Sequence, residues 1–172
     1  MSVLSAPQSG EYNPYYEDYI ALVRDRDINQ VLISQMEEVR AAFELLGETG
    51  SQKAYAEGKW TGKELLGHIT DTDRIMAYRA LCIARGETVP LPGYDENAYA
   101  KSGEFNQVML VDLLEEFESS RRALLVLLKN LPPSCHTQMG NANNSPVSVR
   151  ALFYMIAGHT LHHLNVLKNR YL

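Results

Sequence analysis

The sequence predicts an all-α protein, a four-helix bundle. Three observations predict it. Three long stretches and a terminal fourth repeat apolar residues at helical spacing, glycine and proline punctuate the segments between them, and no run keeps a strand's alternation outside those loops. With 172 residues, 45% of them hydrophobic, the chain has the length of one ordinary domain, 1–172, and can bury a real core.

Residues 1–26 read as an N-terminal arm, helical only around Glu17 to Val23 and rich in tyrosine at Tyr12, Tyr15, Tyr16 and Tyr19. Such amphipathic rings are expected to lie across the bundle surface with their hydroxyls in water. Asp27-Ile28-Asn29-Gln30 fits a relaxed capping box. Val31, Leu32, Met36, Val39, Phe43 and Leu46 follow on one face, so the first helix runs to about Gly47, and residues 48–60 connect it to the only tryptophan, Trp60.

Thr61-Gly62-Lys63-Glu64 is a clearer capping box, and Leu65, His68, Thr72, Ile75 and Arg79 track the inner face of a second helix to about Arg85. Gly86 stops it. The link that follows, to about Phe105, carries Pro90, Pro92, Gly93 and Gly103. A link of roughly 20 residues is uncommon in a compact domain unless it crosses the molecule or covers a site, and here both are expected.

Asn106 opens a third helix whose leucines and Phe117 keep helical spacing until Pro132-Pro133 forbids continuation. Residues 132–147 contain the turn formers Gly140-Asn141-Ala142-Asn143-Asn144-Ser145-Pro146, which fit a hairpin. Ser148 then caps a fourth helix through Leu152, Ile156, His159, His163 and Val166 to about Arg170. The long link permits a crossover that leaves the second and third helices parallel and sets the second and fourth antiparallel.

The net charge of −5, spread without a basic run, argues against nucleic acid or an anionic membrane as the main partner. Cys82 and Cys135 form no metal-ligand or disulfide pattern and are expected to be reduced. Met1 to Tyr16 lacks the basic start and apolar run of a signal peptide, and no later run approaches the ~20 apolar residues of a membrane helix. The expectation is a cytoplasmic protein with a small-molecule partner.

On the fourth helix His159 and His163 stand four residues apart and aim their imidazoles at one point. His68 follows Thr61 by seven residues and His163 precedes Arg170 by seven. At ~1.5 Å per residue, both then sit ~10 Å from the same end of antiparallel helices. A single histidine on an apolar stripe reads as a satisfied core residue; three at matched depth read as ligands of one divalent metal, since a buried imidazole cluster without an ion leaves ring nitrogens unpaired. His162 lies ~100° round the helix and reads as a boundary residue, as does His136 in its loop. Thr160 stands where a His-Glu-x-x-His metalloprotease carries its general base, which excludes that chemistry. Asp71, one turn beyond His68, is the candidate catalytic carboxylate, to orient an imidazole or accept a proton, with Glu64 one turn before as its rival.

Trp60-Thr61-x-Lys63-Glu64 followed by His68-Ile69-x-Asp71, with His159 and His163-Leu164 near the C-terminus, resembles the DinB/YfiT-like superfamily of bacterial metal-binding four-helix bundles. The likeness extends to Pro90-Leu91-Pro92-Gly93-Tyr94-Asp95 and Arg170-Tyr171-Leu172. It implies an up-down-down-up helix order, frequent homodimers, and one divalent metal on His68, His159 and His163 with water completing its shell; of the ions neutral imidazole suits, zinc, nickel, copper and iron(II), zinc or nickel is expected first. Members of that superfamily include thiol transferases that use bacillithiol, mycothiol or glutathione, a maleylpyruvate isomerase, and proteins described as metal-dependent hydrolases.

The first expectation is therefore transfer of a low-molecular-weight thiol to an electrophile held under the 86–105 link, with Arg79 or Tyr94 as candidate holders. Metal-dependent hydrolysis is the second. The rivals outside these are a non-enzymatic metal-binding stress-response protein, in which the ion only ties helices together, and a metal-free bundle for an apolar ligand.

Overall fold

Four long helices carry the structure, a computed structural model that describes residues 4–172: α2 (Ile28–Ser51), α3 (Gly62–Ala84), α5 (Leu110–Asn130) and α6 (Val149–Arg170). Two short helices lie between or before them, α1 (Glu17–Ala21) in the arm and α4 (Glu96–Ser102) in the long link. Residues 1–3 of the arm lie outside the described residues.

Three of the long helices begin where a side chain satisfies their first amides. Asp27 accepts from Asn29 N and Gln30 N, Thr61 from Glu64 N, and Ser148 from Ala151 N. At Thr61 the box is reciprocal, since Glu64 accepts the Thr61 amide at 2.8 Å. The third helix departs from expectation, starting at Leu110 rather than Asn106. Asn106 is engaged elsewhere, its amide oxygen accepting the Thr61 hydroxyl at 2.8 Å, and residues Phe105–Gln107 form a tight turn instead. Gly47, at φ 71° and ψ 174°, interrupts α2 where an end was expected, but helical turns resume to Ser51.

The contacts at one end fix the topology. Glu48, near the end of α2, pairs with Lys63 at the start of α3 and accepts from the Leu110 amide at the start of α5. Tyr171, just past α6, donates to the Trp60 carbonyl before α3 at 2.7 Å. So α3 and α5 run parallel, and α2 and α6 run opposite to them, which is the up-down-down-up order. Around the bundle α2 and α3 face each other across the diagonal, with α5 and α6 between them.

Two apolar clusters form the core. One holds Phe43, Leu66, Ile69, Leu114, Phe117 and Leu164 near the Glu48 end; the other holds Leu32, Met76, Ile83, Leu124, Leu128, Leu152 and Phe153. Between them each long helix contributes one buried polar residue to a layer centred on Arg121. Its guanidinium donates to Asp73 at 2.8 Å, Gln35 at 2.8 Å and Thr160 at 2.9 Å, and stacks 5.1 Å from the Phe117 ring centre. Gln35 donates in turn to the Ala157 carbonyl at 2.7 Å.

The arm is tied to the start of α6 rather than lying loosely on the bundle. Glu11 pairs with Arg150 and accepts from Ser148 at 2.7 Å, and Tyr154 donates to the Leu4 carbonyl at 2.9 Å. The predicted hairpin is present: β1 (Met139–Ala142) and β2 (Ser145–Ser148) pair antiparallel. Asn143 and Asn144 turn the chain at φ 51° and 56°, as a two-residue primed turn requires. The long link is not without regular structure, since it contains α4, and it crosses to the hairpin through Leu91 N to Asn141 O at 2.9 Å and Asn143 N to Leu91 O at 3.0 Å. Among the described residues no helix is long and apolar enough to cross a membrane, and both cysteines are free.

Candidate metal centre

Two close approaches set the histidine-bearing helices in place, each at the residue before a histidine. At Gly67 a Cβ would lie 2.4 Å from the Phe105 ring, so only glycine lets the link pack against α3 beside His68. At Gly158 a Cβ would lie 2.0 Å from the Tyr19 carbonyl oxygen, so glycine admits the arm's backbone beside His159. The expected antiparallel contact of α3 and α6 then brings His68, His159 and His163 together.

Their Nε2 atoms converge on one another. His68 Nε2 lies 2.9 Å from His159 Nε2, and His163 Nε2 lies 3.0 Å from the same atom. A tetrahedral ion ~2.0–2.1 Å from each nitrogen holds its ligands roughly 3.3 Å apart, so this spacing needs only a small adjustment to take a metal. Burial pushes the His68 imidazole down to about 4 and holds His159 and His163 well below the ordinary value, with mutual repulsion adding to the effect in the last two. All three are therefore neutral near pH 7, the form that binds metal. No described side chain satisfies Nδ1 of His159 or His163, so packing orients these rings. The edge of the Tyr19 ring meets His159 at 5.7 Å and Trp60 meets His68 at 4.6 Å between centres. Three neutral nitrogens with an open side fit a divalent transition metal.

That open side faces a cavity of about 400 Å³, walled by the arm through Asn13, Tyr15, Tyr16 and Tyr19, and by Thr72, Met76 and Arg79 of α3. Tyr94 and Glu96 of the link and Asn143 of the hairpin complete it. The link therefore contributes to the site, and Arg79 and Tyr94 both reach it. The expected inner face of α3 is corrected at one position: Met76 lines the cavity and Ile75 does not. Asp71 is not among the lining residues. Its half-buried carboxylate lies 3.9 Å from Arg74, and burial raises its pKa. Glu64 is occupied with its capping box. His162 stands outside the converging set, its ring 5.1 Å from Tyr19.

The arm is the main departure. Tyr15 is exposed as expected, but Tyr12 is buried, and Tyr16 and Tyr19 turn inward to the cavity. Their helical spacing was visible in sequence; the missing fact was where the arm lands, which Glu11 and Gly158 decide.

Known proteins share this architecture. YfiT from Bacillus subtilis, described as a probable metal-dependent hydrolase with an unusual four-helix bundle topology, superposes with a TM-score of 0.75 at 17% identity, covering 95% of this chain and 91% of YfiT. The mycothiol-dependent maleylpyruvate isomerase superposes with a TM-score of 0.71 at 13% identity. That match covers 86% of this chain but only 62% of the isomerase. No curated protein matches the chain by sequence. The family model of the DinB superfamily matches residues 32–167, from within α2 to within α6, which takes in the three converging histidines, and the chain belongs to that superfamily.

Proposed function

We propose that this protein is a metal-dependent enzyme that transfers a low-molecular-weight thiol to an electrophilic small molecule. The observation that carries the reading is the convergence of three neutral imidazole nitrogens on the wall of a cavity large enough for a small substrate. His68, His159 and His163 would hold a divalent zinc or nickel ion, which would supply the Lewis acidity that lowers the pKa of a thiol or water toward neutrality.

The chain's own residues do the rest. Burial keeps the imidazoles unprotonated, so metal does not compete with protons at neutral pH. Trp60 and Tyr19 pack against the rings of His68 and His159 and hold their orientation. Thr72 and Tyr94 share a hydrogen bond of 2.7 Å across the cavity wall, which ties the link to α3 and shapes the space beside His68. The mycothiol dependence of the isomerase with the same fold favours a thiol as co-substrate. The description of YfiT supports the second reading, in which the same cavity serves a metal-dependent hydrolase.

The test is a screen of tag-free protein, loaded with zinc or nickel, against bacillithiol, mycothiol and glutathione with a common aromatic electrophile. Metal-dependent consumption of one thiol is the expected result. Stoichiometric metal with no turnover of any thiol would overturn the transfer reading in favour of hydrolysis, and less than about a tenth of an ion per chain would overturn both.

A further inference from the structure

Arg79 is a buried cation without a counter-ion. Its residue surface is only 4% exposed, and no carboxylate lies within ion-pair distance among the described residues. Every other buried arginine differs in this respect: Arg121 is matched by Asp73 and Arg150 by Glu11. Of the five N–H donors of a guanidinium, one of Arg79's meets the Pro92 carbonyl at 2.7 Å and one the weak Met76 sulfur at 3.6 Å. The remaining donors have no partner among the described residues, while the side chain lines the same cavity as the three histidines.

The phenols of Tyr16 and Tyr94 line the same cavity and act electrostatically on Arg79. Burial raises the pKa of both, so at neutral pH they are uncharged hydroxyls able to donate hydrogen bonds. Glu96 also lines the cavity but is exposed at the start of α4 and forms no pair with Arg79. A guanidinium fork flanked by hydroxyls and walled by Met76 is the surrounding a bidentate oxyanion requires. One buried positive charge balances one negative charge; a phosphate dianion would bring a second to the Arg79 end of the cavity, where no second cationic side chain lies among the described residues.

We infer that Arg79 is the anchor for a carboxylate monoanion, so that the small molecule acted on at the histidines carries a carboxylate at its far end. Eleven residues separate His68 from Arg79. Their Cα atoms are thus roughly 16 Å apart along α3, and a long helical side chain leans back toward the N-terminus, here toward His68. A ligand of one ring and a short acid chain spans what remains. The inference rests on the proposed function only in taking the same cavity as the substrate site.

The experiment separates the two. Metal-free and zinc-loaded protein are titrated calorimetrically with 3-phenylpropionate, its neutral amide and inorganic phosphate, using the natural chain, Arg79→Gln and Arg79→Lys. The natural chain is expected to bind the carboxylate about tenfold or more tighter than the amide, with or without zinc, and tighter than phosphate. Arg79→Gln, which can still donate to the Pro92 carbonyl, is expected to lose that preference, and Arg79→Lys to keep part of it. A natural chain that does not discriminate acid from amide overturns the inference, as does undiminished preference in Arg79→Gln, tighter binding of phosphate, or carboxylate binding that appears only with zinc and ignores Arg79. Because the metal-free titration is read by itself, failure of zinc to bind sinks the proposed function and leaves the carboxylate site to stand or fall alone. Should Arg79→Gln not fold, the acid-against-amide comparison in the natural chain and Arg79→Lys still decide.

Discussion

Replacing Arg121 by methionine removes the cation at the centre of the bundle and leaves its partners behind. Asp73 is fully buried and its other oxygen already has no partner, so the carboxylate would be left charged in the core or forced to take a proton. Gln35 and Thr160 each lose a hydrogen bond of 2.8 and 2.9 Å. Breaking a buried pair from one side costs about 3–5 kcal/mol, a large share of the roughly 5–15 kcal/mol that holds a typical domain folded. With a urea slope of about 2 kcal/mol/M, the midpoint of unfolding should fall by roughly 1.5–2.5 M, read by far-ultraviolet circular dichroism. Asp73→Leu combined with Arg121→Met should recover most of the loss, because the stranded charge is then gone and apolar volume takes its place. The reasoning is refuted if Arg121→Met costs less than about 1 kcal/mol, or if the double variant loses the sum of the two single losses.

Three further outcomes are expected. His68→Ala, His159→Ala and His163→Ala should each abolish stoichiometric metal binding while His162→Ala retains it, measured by elemental analysis of tag-free protein; metal lost in His162→Ala alone would move the site one residue along α6. The metal-free protein should lose stability as pH falls from about 6.5 to about 4, because His68 stays neutral in the folded chain over that window while its unfolded counterpart binds a proton. His68 alone contributes about 3 kcal/mol to that loss, so urea unfolding at several pH values should show it and His68→Gln should reduce it. Gly158→Ala should destabilise the protein by about 1–3 kcal/mol, since the new methyl meets the Tyr19 backbone and the arm must shift. Thermal unfolding measures the loss, and an unchanged transition would show that the arm does not rest on α6 there.

The bundle was legible because each long helix shows its buried face and most show their start. Thr61 and Ser148 cap where expected, and the three converging histidines sit on stripes whose period places them inward. The matched depth of His68 and His163 needed only the antiparallel contact that the long link allows. What escaped the sequence was tertiary in origin. Asn106 looked like a helix start because nothing local says that its side chain is engaged by Thr61. The arm tyrosines looked like surface because only the Glu11–Arg150 pair and the glycine at 158 bring them to the cavity. The polar layer did leave a trace: the third helix's apolar series passes from Phe117 to Leu124 through Arg121, a charge in a core position. A charged residue in an apolar register predicts a buried partner, and Asp73, between Ile69 and Met76 on α3, was the one available.

That layer also acts on alignment. The other three long helices are each pinned by a polar side chain to the one guanidinium that α5 carries, so no helix can slip against α5 without breaking a bond in the middle of the molecule. A slide of one helical turn, about 5.4 Å, would carry Thr160 beyond reach of Arg121 and in the same movement carry His159 and His163 past His68. Thr160 and His159 are neighbours in sequence, so the register that satisfies the arginine is the register that makes three nitrogens meet. The polar layer and the three histidines therefore share one alignment: helices in register on Arg121 are in register for the imidazoles.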